Sequence, residues 1–549
     1  MRTHLPGLRL SPGRRSHEAA VRRFVNSINT AVGDGCRYNE ALRQKERFLP
    51  FDVLGLQAVA AKAIQKPASD VVSFQKLAEG GFNRTFVIGM KDGRELIARL
   101  PCPIAFPSQL TVASEVATLR LVRSRGVPVP EVLDYSTTRE NAVGVEYIVM
   151  DKAAGEELGD RWFSLPDLDR AKLLGRLSQI ENLLFSIPLP ASGSIFYKRD
   201  LDKSIPSLEI PDTEFCVGPS VEQRWWHDRR GQLNINRGPF RTAEQFLKAG
   251  AEKELSWLRN YGQPCFPKLE YREFTNYQKS NPAEQIESLQ KFLQIAPHLV
   301  PTSLELLKPT LRHPDLNPRN IFVDKDLRIS SLIDWQHCSA VPLFLQVGVP
   351  DSFANFGDNE SIQLKKPSLP PNFSSLSEED QTQAIELYRR RHSHFYYFGG
   401  AFKFNNIHYK ALRLSSTALK QRLCFNASSP WQGNTIPLKV ALIQAAQNWH
   451  TLTAESTEKT SQCPISFTEE EAAKCLQINA AQDHIDEKVS LLRDTIGIGE
   501  DGWVSTEDYD RAVAENRRLK DELLKDASDE EKHLSIQHWP FDDHAEDGG

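Results

Sequence analysis

Residues Leu311 to His337 read LRHPDLNPRNIFVDKDLRISSLIDWQH. Ile321, Phe322 and Val323 form a short apolar run, and Asp324-Lys325-Asp326 forms a polar turn. Leu327 to Ile333 returns with Leu327, Ile329, Ser331 and Ile333 on one face. Two such runs joined by a short polar turn predict a β-hairpin. A hairpin brings its outer ends together, so Asn320 and Asp334 become neighbours. Both offer oxygen to a hard cation, and Mg²⁺ favours one or two carboxylates together with phosphate oxygens. Asp315 lies in the loop before the hairpin, where it can accept a proton from a substrate hydroxyl. A lone His-x-Asp would read as a surface hairpin with ordinary turn carboxylates. The whole series, His313-x-Asp315-x-x-x-x-Asn320 followed by the hairpin and Asp334, is the set that phosphoryl transfer from ATP requires.

The strings HPDLNPRN and LIDWQ resemble the catalytic loop of the aminoglycoside phosphotransferase and choline kinase group, relatives of the protein kinases. The resemblance implies an α+β, protein-kinase-like bilobal fold. A small β-rich lobe and a large, mainly helical lobe are expected, with an N-terminal extension and a helical C-terminal tail. ATP and Mg²⁺ are the implied cofactors, and His313 is expected to support the catalytic loop rather than react. Trp335-Gln336 follows Asp334 where protein kinases carry Phe-Gly, and no Ala-Pro-Glu closes an activation segment. Both absences speak against a phosphorylation-regulated protein kinase.

An ATP cradle is expected upstream. Val71 to Leu77, Thr85 to Met90 and Glu95 to Leu100 are strand-like runs. Lys91-Asp92-Gly93 marks the second turn. Gly80 and Gly81 lie in the first turn, where paired glycines let a backbone approach phosphate oxygens. The third strand ends at Arg99, where kinase-like folds place a phosphate-holding cation. Protein kinases carry Lys there; Arg is a planar, permanently charged fork. Ser108 to Gly126 reads as a helix with Val112, Leu119 and Val122 on one stripe. Glu115 falls on that stripe. A carboxylate there needs a partner, because burying a lone charge is costly, and Arg99 is the expected one. Val145 to Met150 forms an apolar strand. In the resembled group the next residues are the lobe-joining hinge, which implies that the Asp151 carbonyl and Ala153 amide meet the adenine edge.

The 549 residues and 40% hydrophobic fraction suit a large core. The net charge of −5 gives no sign of a nucleic-acid partner, and no run of 18 apolar residues predicts a membrane span. None of the eight cysteines forms a C-x-x-C pair, so neither a zinc site nor a disulfide framework is indicated. Three glycosylation sequons, at Asn83, Asn372 and Asn426, read as accidental without a secretory signal. Residues 1–33 hold six arginines and one acid, Glu18, which is transit-peptide composition.

Along the chain, residues 1–35 read as a mitochondrial transit peptide and 36–70 as a helical extension. Residues 71–152 are the expected small lobe, 153–460 the large lobe, and 461–549 a helical, partly disordered tail. Tyr38 to Lys66 reads as helix, residues 351–376 as a long loop, and the last dozen residues as unstructured. Trp225, Trp226 and His227, flanked by Arg224, Arg229 and Arg230, leave two readings: a grip on an anionic or planar substrate, or the packing of a loop onto a helix. Further strings, RYNEALRQKERFLPFDV, KLAEGGFNRTFVIGM and EYIVMDKAAGEELGDRW among them, resemble fungal mitochondrial phosphotransferase-like proteins named for altered inheritance of mitochondria. That resemblance implies a mitochondrial address and leaves the substrate open. The leading expectation is a kinase acting on a hydroxyl of a small molecule. The rival is a non-catalytic ATP-binding scaffold, and protein phosphorylation or another nucleotide-dependent transfer on this fold is a third reading.

Overall fold

The computed structural model describes residues 40–498 apart from Gly80, Asp160 and Lys459, together with 35–36, 503–504, 508–525, Trp539 and Phe541. The transit peptide expected over 1–35 lies outside the described residues but for Gly35. The small lobe is built on β1 (Val71–Glu79), β2 (Asn83–Met90), β3 (Glu95–Pro101), β4 (Val132–Ser136) and β5 (Tyr147–Asp151). They form one antiparallel sheet in the order β1-β2-β3-β5-β4. Alternation puts Phe86 and Ile88 on one face of β2 and Val87 on the other.

Each face is covered by a helix. Leu56, Ala60 and Ala61 of α1 (Val53–Ala63) pack with Phe74, Phe86, Ile88 and Val149. On the other face Val112, Val116 and Leu119 of α2 (Leu110–Ser124) join Ile97, Ile148 and Met150, and this core continues into the large lobe. The helix read over Tyr38 to Lys66 is two helices, Glu40–Arg47 and α1. Pro50 interrupts it, and the Asp52 carboxylate accepts from the Gly55 N–H at 2.8 Å to start α1 afresh.

The large lobe is mainly helical. Its principal helices are α3 (Asp167–Phe185), α4 (Ala243–Tyr261), α5 (Pro282–Ile295), α6 (Glu378–Phe404), α7 (Thr417–Ser428), α8 (Ile436–Gln447) and α9 (Glu469–Ile496). The α+β bilobal, kinase-like fold is therefore present. The stretch read as a loop over 351–376 contains three short helical turns, one of them capped by Asp358. In the tail, Trp539 and Phe541 are buried with Ile496 and Ala512, although the last dozen residues read as unstructured. Two aromatic rings and a Trp539 N–H bond to Asn516 Oδ1 at 2.8 Å outweigh the charges around them. No helix among the described residues is long and apolar enough to cross a membrane.

The Trp225 cluster packs. Trp225 is enclosed beside Phe240, and Arg230 makes a two-pronged bond to Glu254, both contacts 2.7 Å, beneath the Trp257 ring. Lys253 shares the same carboxylate at 2.8 Å.

Candidate functional site

The hairpin forms as β6 (Ile321–Val323) and β7 (Ile329–Leu332), and Glu156–Glu157 adds to its outer edge. The return strand starts at Ile329 rather than Leu327. Leu327 adopts φ +56° and its N–H closes a turn on Asp324 O, so it sits in the loop, and the register shifts at Phe322/Val323. Gly155, with φ +93°, ends the hinge against β6. A Cβ there would fall 2.3 Å from Val323 O, so only glycine fits.

The Ile333 N–H donates to Asn320 O at 3.0 Å and fastens the two ends of the hairpin together. Asp334 follows with φ +67°, a conformation rare outside glycine, and its side chain is 44% exposed. His313 lies beneath. Its Nε2 lies 2.7 Å from Ile333 O, and its Nδ1 accepts from the Asp315 N–H at 3.2 Å. A carbonyl can only accept and an amide can only donate, so the proton sits on Nε2. Burial holds this imidazole below its ordinary pKa, and Trp335 packs edge-on at 4.7 Å. Asp315 is exposed. Asn320 Nδ2 donates to Asp315 O at 2.8 Å and to Asp315 Oδ2 at 3.1 Å, so the amide oxygen is the group of Asn320 left to accept or to ligate.

Arg99 joins the lobes. One guanidinium nitrogen pairs with Glu115 and the other lies 2.8 Å from Asp334 Oδ1. Glu115 is 3% exposed, and burial pushes its carboxyl up to about 7 although Arg99 opposes the shift. Burial also raises Asp334, but Arg99 more than offsets this and holds it below the usual carboxylate range. Gly80 lies outside the described residues. A side chain at Gly81 would meet nothing within 4 Å. Next to it, Phe82 packs edge-on against His337 at 5.4 Å, and Asn83 Nδ2 donates to Gln336 Oε1 at 2.6 Å. At the hinge, the Asp151 N–H donates to Glu131 O and its carboxylate accepts from Arg94 at 2.6 Å. Ala153 follows in the connection to Gly155. Among the described residues no group of three or more His, Cys, Asp or Glu side chains could hold a metal. A cation between Asn320 and Asp334 would have those two side chains as its protein ligands.

Sequence reading missed a second buried pair, directly under the loop. Arg312 donates to Glu181 Oε1 at 2.7 Å, to Gln346 O at 2.6 Å and to Gly348 O at 3.1 Å, while Tyr397 OH donates to Glu181 Oε2 at 2.6 Å. The available signal was an arginine between Leu311 and His313, at the start of a loop whose neighbours are apolar.

Residues 73–345 match the Phosphotransferase enzyme family. This chain belongs to that family. As a member it is a phosphotransferase, and the strings that resembled the aminoglycoside phosphotransferase group lie inside the matched span. A subtelomeric hrmA-associated cluster protein of Aspergillus fumigatus is 33% identical over 85% of this chain and 96% of its own length. The mitochondrial protein of Yarrowia lipolytica called altered inheritance of mitochondria protein 9 is 25% identical over 80% of this chain and 79% of its own. Among solved structures, an amicoumacin kinase in complex with AMP-PNP, Ca²⁺ and Ami is 13% identical. It covers 82% of this chain and 94% of its own, with a TM-score of 0.32.

Proposed function

We propose that this phosphotransferase moves the γ-phosphoryl group of Mg–ATP onto a hydroxyl of a small metabolite. One observation supports the reading: the hydrogen bond from Ile333 to Asn320 closes the hairpin, with Asp334 on one side bonded to Arg99 and Asn320 on the other bonded to Asp315. The acceptor oxygen bonds to the γ-phosphorus as the bond to the β,γ-bridging oxygen breaks. ADP leaves, and the hydroxyl proton passes to the Asp315 carboxylate.

Asn320 Oδ1 and the second oxygen of Asp334 are hard donors of the kind Mg²⁺ takes, and they would hold it; bound there, the ion neutralises phosphate charge. Arg99 would steady the phosphates, with Glu115 fixing its orientation. The open space at Gly81 suits backbone approach by phosphate, and Gly80 would share that task. Asp151 and Ala153 would meet the adenine through backbone groups, and His313 holds the loop that carries Asp315. The arginine-rich leader and the name of the Yarrowia relative support a mitochondrial address, and the matrix is the compartment proposed within it. The alternative is an ATP-binding protein without turnover that serves mitochondrial maintenance. It is favoured by the Arg99–Asp334 contact, which occupies one oxygen of the metal carboxylate.

The test is transfer of ³²P from labelled ATP into a mitochondrial metabolite extract. Asp315→Ala is expected to reduce transfer by about 10²–10⁴-fold, the range for a lost general base, while the protein stays folded. Undiminished transfer would contradict the assignment of Asp315.

A further inference from the structure

A cavity of about 870 Å³ lies in the large lobe beside the catalytic loop. That volume suits a small-molecule ligand. His313 and Pro314 form one wall, so the cavity adjoins the loop that carries Asp315. His337 forms another. Phe82 of the glycine turn packs on the His337 ring, so this wall touches the turn assigned above to the phosphates.

The opposite wall is a face of α7: Ala418, Gln421, Arg422 and Phe425, spaced as neighbours on one helical stripe. Of the buried stripe of the same helix, Lys420, Leu423, Cys424 and Ala427, only Cys424 also reaches the cavity. Phe425 is 61% exposed, an apolar ring left largely open by the described residues around it.

The charges on the walls are mostly paired. Glu222 binds Arg224, and Arg312 binds Glu181. Arg422 is different: it donates to Gln444 Oε1 at 2.5 Å and has no carboxylate partner among the described residues. Among those residues the cavity therefore has one unpaired positive charge and no unpaired carboxylate. An amine placed there would be desolvated opposite a like charge, whereas an acidic group would meet a guanidinium fork. Gln421 donates its amide N–H to Phe344 O and to Val347 O, leaving its own carbonyl to accept from a hydroxyl.

We propose that this cavity binds the phosphate acceptor, and that the acceptor is a hydroxyl compound with an apolar portion and an acidic group rather than an amine. The inference rests on the phosphotransfer reading above. The reaction is the same: the acceptor oxygen gains the phosphoryl group, ADP leaves, and Asp315 takes the proton.

The experiment separates a yeast mitochondrial metabolite extract by ion exchange into cationic, neutral and anionic fractions. Each is then incubated with the full chain, Mg²⁺ and γ-³²P-labelled ATP. Label is expected in products of the anionic fraction. Arg422→Glu should lower it by about tenfold or more, as befits losing a charge-assisted contact, and Ala418→Trp, at an exposed helix position, should lower it by filling the cavity. Both variants should keep the wild-type thermal shift with Mg–ATP. Label arising from the cationic or neutral fraction, or from none while the Mg–ATP shift persists, overturns this inference alone. Absence of any Mg–ATP shift in the wild type overturns the phosphotransfer reading and this one with it.

Discussion

Arg99–Glu115 in the small lobe and Arg312–Glu181 in the large lobe are the same chemical pair in two settings. Both glutamates are 3% exposed. Glu181 accepts from two groups, Arg312 and Tyr397, and Arg312 directs its other N–H groups at the carbonyls of Gln346 and Gly348. Burial raises the Glu181 carboxyl, but Arg312, the nearby His408 and the Tyr397 hydroxyl together outweigh burial, and its pKa lies below the usual value. Glu115 has one arginine donor, shared with Asp334, and burial wins. The number of donors around a buried carboxylate decides whether its charge is fixed or responsive. The fixed pair anchors the loop immediately before His313. The responsive pair opens onto the cleft through Asp334.

The largest expected effect follows from removing the better-satisfied acid. Glu181→Ala leaves Arg312 buried without a counter-charge and should cost about 3–5 kcal/mol, measured by chemical denaturation. Glu115→Ala should cost clearly less, because Arg99 keeps Asp334. Equal losses would break the comparison. Arg312→Lys comes next. Lysine cannot reproduce the fork that reaches Glu181, Gln346 and Gly348 together, so stability should fall by about 1.5–3 kcal/mol and kcat should fall with it. The KM for ATP should change little, because Arg312 lies away from the nucleotide side.

The smallest effect is one of pH. The folded pKa of Glu115, about 7, lies above its ordinary value, so the folded chain holds a proton that the unfolded chain has lost. The stability from this group is present at low pH and is lost as pH rises through about 7. The loss accumulates from the ordinary value of 4.5 upward, so Glu115→Gln should melt closest to the wild type near pH 4.5, already above it near pH 6, and furthest above it near pH 8. Glu181 has the opposite sign: its contribution is present above the ordinary carboxylate pKa and is lost on acidification, with no change across that window. A Glu115→Gln protein that melts below the wild type at pH 8 would reverse the assignment of the small-lobe pair as the responsive one.

Much of the site's geometry was legible because it is local. The run from His313 to Asp334 encodes its own hairpin through alternation and a polar turn, and Val112, Glu115 and Leu119 share a helix face by spacing alone. Glu115 also implied a cation, since a carboxylate on an apolar stripe needs one. What was not legible is long-range. Nothing in the spacing links Arg312 to Glu181, 131 positions earlier, or Asn83 to Gln336, 253 positions later. The cavity wall on α7 was hidden for a similar reason, because nothing in the spacing links Phe425 to His313 on the facing wall. The break at Pro50 was visible in the sequence, but the apolar residues on either side of it outweighed that signal.

The proposed phosphotransfer has Asn320 and Asp334 grip a divalent ion beside nucleotide phosphates, and calorimetric titration of ATP with and without Mg²⁺ tests this proposal most directly. Wild type should bind ATP much more tightly with Mg²⁺ than in EDTA. Asp334→Asn, which keeps the side chain's shape and removes its charge, should lose that difference. An unchanged Mg²⁺ dependence in Asp334→Asn, or none in the wild type, would contradict it.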